Sequence, residues 1–148
     1  MKIKYTRNSR RLKETLNIVN ELLNNDDFFT AIKECKSFDN SNLSAKEISD
    51  LISNYPIVVS VKTYWNILGF ANAKVDSGKQ IRVNIAKHKG SLKTRVNTLM
   101  HEYVHCVDFG TKEQGQNLRF THYDNSNDNG EEDNTAPWKI ASLTKQLI

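Results

Sequence analysis

The sequence predicts an α+β fold in which a small β-sheet packs beside one long helix, with further helices toward both ends. Two observations carry that reading. Before residue 55 and after residue 90, apolar residues recur at three- and four-residue steps, the period of amphipathic helices. Between them, from Ile57 to Ile85, β-branched and aromatic residues dominate and alternation appears. A chain of 148 residues has the length of one domain. We therefore expect a single domain, with 1–55 as a helical part that serves as scaffold or pro-segment and 56–148 as the sheet and site-bearing core.

Leu12, Leu16, Val19, Leu22 and Leu23 predict a helix from about Ser9 to Leu23, ended by Asn24-Asn25. Phe28, Phe29, Ile32 and Cys35 predict a short second helix. Ser44-x-x-Glu47 has the spacing of a capping box and opens a third helix that stops before Pro56. Strands are expected at Ile57–Tyr64 and, more weakly, Leu68–Val75. After the turn residues Asp76-Ser77-Gly78, Ile81, Val83 and Ile85 alternate with polar neighbours, the pattern of a strand with one buried face. Ser91 opens a helix through Val96, Leu99, Met100, Val104 and Val107, with Gly110 as its expected C-terminal cap. A closing helix runs from Thr135 to Leu147, with Pro137 tolerated in its first turn.

Composition excludes several classes. No apolar run approaches the ~18 residues of a membrane span, and the basic N-terminus lacks the apolar stretch of a secretory signal. Two cysteines, Cys35 and Cys106, allow at most one bridge, which suits a reducing compartment. A cytoplasmic protein without a membrane partner is expected. The net charge of +4 admits an acidic partner, but Lys and Arg are scattered and no aromatic-and-basic cluster stands out. Nucleic acid is accordingly not the favoured partner.

The chemistry lies in His101-Glu102-Tyr103-Val104-His105. Residues four apart on a helix are displaced by ~400°, so the two histidines project from one face and can grip one ion, zinc by ligand type. Glu102, one residue on, stays out of the ligand shell yet reaches a water on that ion. It is the expected general base of metal-assisted hydrolysis. A catalytic zinc takes three protein ligands and keeps one position open. His122, set between Phe120 and Tyr123, is assigned as the third. Its rivals are the acids of the polar stretch after it, Asp124, Asp128, Glu131, Glu132 and Asp133, above all Glu131 or Glu132. A donor for the developing oxyanion is sought in Tyr123, with Tyr103 and Arg119 behind it. Asp108 is either a partner for a ligand histidine or a surface acid. Trp138 is either a floor beneath the site or core packing, Cys106 is expected in packing, and His88 in solvent. A metal-stabilised binding module for a protein or nucleic-acid partner, without hydrolysis, is the alternative reading.

His101-Glu102-Tyr103-Val104-His105, the preceding Arg82-Val83-Asn84-Ile85 strand and the later Thr135-Ala136-Pro137-Trp138 resemble the zincin metallopeptidases, in particular short stand-alone bacterial and phage zincins. The resemblance covers roughly the C-terminal 90 residues. It implies a helix-borne zinc, hydrolysis of peptide bonds, and an edge strand that pairs with the substrate backbone, here placed near Ile81 to Ile85. The chain departs from the metzincin pattern at Asp108 and Thr111, where glycine and histidine would stand. It departs from the thermolysin-like spacing at Asn125, where glutamate would stand.

Overall fold

A computed structural model describes residues 1–69, 71–116, 118–122 and 134–148. Its elements are β1 (Ile3–Lys4), α1 (Arg10–Leu22), α2 (Asp26–Lys33), α3 (Ala45–Asn54), β2 (Val59–Tyr64), β3 (Ala73–Ser77), β4 (Gln80–Asn84), α4 (Leu92–Glu113) and α5 (Ala136–Leu147). This is a mixed α+β architecture, with five helices among the described residues and a four-stranded open sheet. No helix among those residues is long and apolar enough to cross a membrane.

The helix starts follow local chemistry. Ser9, Asn25, Ser44 and Ser91 accept from backbone N–H groups of α1, α2, α3 and α4 that would otherwise lack partners. At Ser44 the reciprocal bond from its own N–H to Glu47 completes the expected capping box. The end of α4 differs from expectation. The helix continues past Gly110 to Glu113, and Gly115, at φ +76°, supplies the left-handed residue. The N–H of Gly115 then bonds to Lys112 O and that of Gln116 to Thr111 O, a Schellman closure.

Strand order is β1-β2-β4-β3, with β1 and β4 parallel to β2 and β3 antiparallel to β4. The N-terminal strand was not legible because two residues carry no period; Ile3 is held by its register with Val59 and by Asn20, whose side chain bonds both the N–H and the C=O of Ile3. The topology also corrects the expected substrate strand. The Ile81–Ile85 segment forms β4, which is paired on both sides through Gln80–Asn84 and has no free edge there to offer. Alternation shows which face of a strand is buried but not its place in the sheet. Among the described residues the edge strands are β1 and β3, and β3 is the one beside α4.

Helix α4 lies across the sheet and between α1 and α5. Ile3, Val59, Val61, Ile81 and Val83 meet Val96, Leu99, Met100 and Val107 in a core that also takes Leu12, Leu16, Phe28 and Ile48 from the N-terminal helices.

His88 departs from its expected exposure. It is buried, shares a cavity with Ser9, Arg11, Leu12 and Ile85, and its Nε2 lacks a hydrogen-bond partner. The physical reason is that the link after β4 turns back on Asn84, whose C=O accepts from the N–H of both Lys87 and His88, so the chain folds under α1 instead of running outward. Burial, followed by the charges of Arg95 and Arg11, lowers its pKa to about 4. Above pH 6.5 His88 is neutral folded or unfolded. Below it the unfolded chain takes a proton that the folded chain refuses, so stability falls with pH across the window from 6.5 to about 4. The slope approaches ~1.4 kcal/mol per pH unit. Denaturant melts of the wild type and His88→Leu should differ by a constant above pH 7 and diverge progressively below 6.5, with the variant gaining. A difference that stays constant to pH 4 would refute this.

Candidate metal centre

Helix α4 presents His101 and His105 from successive turns, and the segment after Gly115 doubles back to bring His122 against them. The ligand nitrogens of the three all lie within 4.8 Å of one another. His101 Nε2 stands 3.2 Å from His105 Nε2 and 3.1 Å from His122 Nε2. Two nitrogens held at ~2.0–2.1 Å by one tetrahedral ion stand about 3.3–3.4 Å apart, so these two separations suit nitrogens that share one divalent ion. Burial first, and neighbouring imidazoles next, lower the pKa of His101 to about 2; burial, His122 and Lys112 lower that of His105 to about 3. Both rings are neutral at pH 7, the form that ligates.

The rings are oriented from behind. His105 Nδ1 meets Thr121 Oγ1 at 3.3 Å and His122 Nδ1 meets Thr135 Oγ1 at 2.9 Å. A hydroxyl that accepts from Nδ1–H leaves the Nε2 lone pair facing the metal position. Thr135 sits at the N-cap of α5 but makes no side-chain cap bond, its hydroxyl being turned to His122 instead. His101 Nδ1 is buried without a partner. Its ring is held by packing against Trp138, 4.3 Å between centroids, and Trp138 also lies 5.9 Å from His122. Trp138 therefore borders the cluster.

Asp108 proves to be neither a histidine partner nor a surface acid. It is buried, its Oδ1 accepts from the N–H of Phe120, and its Oδ2 pairs with Lys112 at 2.7 Å. One turn below His105, it pins the returning strand two residues before His122. From the other side Asn40 donates to the carbonyls of Thr121 and His122. Asn40 adopts φ 49°, a left-handed conformation asparagine tolerates, and its neighbours bridge Asp39 to Thr135 and Ser41 to Phe120. The N-terminal part of the chain thus frames the site.

Glu102, half-buried, lines one cleft with the three histidines. The cleft is bounded by Ala71, Ala73, Lys74 and Val75 on the β3 side and by Phe109 on α4. Tyr103 and Arg119 do not join it. Tyr103 is fully buried and edge-on to Tyr55, and Arg119 is exposed elsewhere. Cys106 is buried with Sγ 3.3 Å from Ser77 O, and burial pushes its thiol pKa well up, so it packs. Tyr123 and the acids Asp124, Asp128, Glu131, Glu132 and Asp133 lie outside the described residues. Thr121, Thr135 and Asn40 escaped the sequence reading, since nothing local marks a threonine or asparagine that works across 13 to 82 residues of separation. Compared with known proteins, the chain matches no family model, and no curated protein or solved structure gives a significant match.

Proposed function

We propose that this chain is a zinc-dependent metallopeptidase of the zincin type, with His101, His105 and His122 as ligands and Glu102 as general base. The observation that carries the reading is the convergence of three imidazoles, two of them held neutral by burial, beside a carboxylate in the same cleft. Partly desolvated imidazoles packed nitrogen to nitrogen are costly unless their lone pairs share a partner. Zinc bound there supplies a Lewis acid and lowers the pKa of a water to ~7.

Glu102 is placed to take that proton and pass it to the leaving amine, because it follows a ligand by one residue and so shares the cleft without joining the ligand set. An extended peptide pairs with the free edge of β3, Ala73–Ser77, whose backbone flanks the cleft. The small side chains of Ala71 and Ala73 leave room for it there. Tyr123 remains the proposed oxyanion donor.

The test separates metal holding from proton transfer. The wild type should carry about one zinc and cleave an unstructured protein substrate; Glu102→Gln should keep the zinc and lose roughly 10²–10⁴-fold in rate. Full activity in the variant, or a wild type that takes up no zinc, would overturn the reading.

A further inference from the structure

Among the described residues, α1 and α4 are the helices with substantial contacts to the sheet, and the loop after β2 covers only the Asn84 end of its other face. Helices α1 and α4 meet the sheet on the side where Val59, Val61, Ala73, Ile81 and Val83 are buried, and residues of the opposite parity point away from them. Register sets Lys62 opposite Arg82 and Arg82 opposite Lys74, all three exposed, and Lys4 extends the cationic surface onto β1. At ~4.8 Å between strands, Lys62, Arg82 and Lys74 stand in a row roughly 10 Å across. Like charges directly opposite one another destabilise a sheet. Asp76, the carboxylate of this face, pairs with Arg82, and the Lys74 ammonium lies 5.8 Å over the Tyr64 ring, but the row stays strongly cationic.

The Tyr64 ring lies at one end of the row, and Trp65, 65% exposed, follows it in the loop after β2. The Trp65 loop is held in place. Buried Asn84 accepts from the N–H of Asn66 and donates to the carbonyls of Asn66 and Ala71, and Asn66 Oδ1 accepts from Leu68 and Gly69. Ser60, Asn72 and Gln80 add uncharged hydrogen-bonding groups to the face. This cluster was invisible in the sequence, where Lys62, Lys74 and Arg82 lie 12 and 8 residues apart and Lys4 stands far upstream.

We propose that the open sheet face binds single-stranded nucleic acid, with phosphates on Lys4, Lys62, Arg82 and Lys74 and bases stacked on Tyr64 and Trp65. A flat face that combines cations, amides and aromatic rings matches phosphates, base edges and base faces together. A duplex would need a helix or ribbon in its groove. An anionic bilayer would use aliphatic wedges among the cations, whereas the exposed large hydrophobics nearest the row, Trp65, Ile67 and Leu68, lie in the loop after β2 and none lies in strands β2, β3 or β4. The inference stands independently of the peptidase reading.

The test is fluorescence anisotropy of the zinc-loaded full chain with a labelled oligothymidylate of about 20 nucleotides. Saturable binding is expected. Four phosphate contacts give a log–log salt slope of about −3, so affinity should fall roughly 50-fold between 50 and 200 mM salt. Lys4→Glu with Lys62→Glu, both outside the metal cleft, should weaken binding more than tenfold, and Trp65→Leu several-fold, with zinc content unchanged and no loss of thermal stability. Trp65→Leu keeps an apolar side chain and removes only the stacking surface. Binding unaltered in the double variant, or insensitive to salt, overturns the proposal. So does binding to phosphatidylcholine–phosphatidylserine vesicles with none to the oligonucleotide, which would assign the face to lipid.

Discussion

His122→Ala is expected to leave purification with little zinc and without hydrolytic activity. In the wild type the α4 pair supplies two nitrogens, and His122 supplies the third at 3.1 Å from His101 Nε2. Losing a partner behind a ligand already costs 10–100-fold in metal affinity, so losing the ligand itself costs more. Metal content by mass spectrometry reads this directly. Thermal melts read it a second way, because zinc at ~1,000 times its Kd stabilises the folded chain by about 4 kcal/mol. A chelator should therefore lower the wild-type melting temperature by several degrees and leave that of His122→Ala unchanged. A variant that keeps one zinc per chain would transfer the third position to the acids of residues 124–133, with Glu131 and Glu132 first. The same two measurements would then be run on those side chains.

How much of this centre could be read beforehand follows from the range of each signal. His101, Glu102 and His105 lie within one helical turn, so spacing alone placed them on one face. His122 needed only its residue type and a return of the chain. What aims the rings could not be read, because Thr121, Thr135, Asp108 and Asn40 act through contacts between segments that share no local pattern. The fold divides in the same way. Helices and strand faces announced themselves through periodicity, whereas strand order came from packing: β3 took the edge beside α4, and β4 slid in parallel to β2. That order moved the proposed peptide path from Ile81–Ile85 to Ala73–Ser77. His88 shows the opposite failure, a polar residue between two lysines that long-range packing buries.

Gly110→Ala is expected to destabilise the fold by about 3 kcal/mol, lowering the melting temperature by roughly 6–12 °C in a chain of this size. Helix propensity alone predicts the reverse, a gain of up to ~1 kcal/mol for alanine within a helix. The contacts decide otherwise. A Cβ on Gly110 would stand 1.8 Å from Tyr55 Oη and 2.8 Å from Tyr55 Cζ, and a Cβ on Gly78 would stand 2.3 Å from the Gly110 Cα. The turn between β3 and β4, helix α4 and the end of α3 therefore meet at one point where only hydrogen fits. The tyrosine cannot simply step aside. Its hydroxyl donates to Gly78 O at 2.5 Å, and burial, then Cys106 and Glu113, raises its pKa to about 12, so it stays a donor. Displacing it strands a buried carbonyl, a loss of ~1–3 kcal/mol on top of the overpacking. Gly115→Ala is the control that separates the two roles of glycine in this helix. There a Cβ meets nothing within 4 Å, and the cost comes from φ +76° alone, about 1–2 kcal/mol. If Gly110→Ala proves no worse than Gly115→Ala, the three-element contact is not the constraint, and Gly110 would revert to the capping role its place in the sequence suggests.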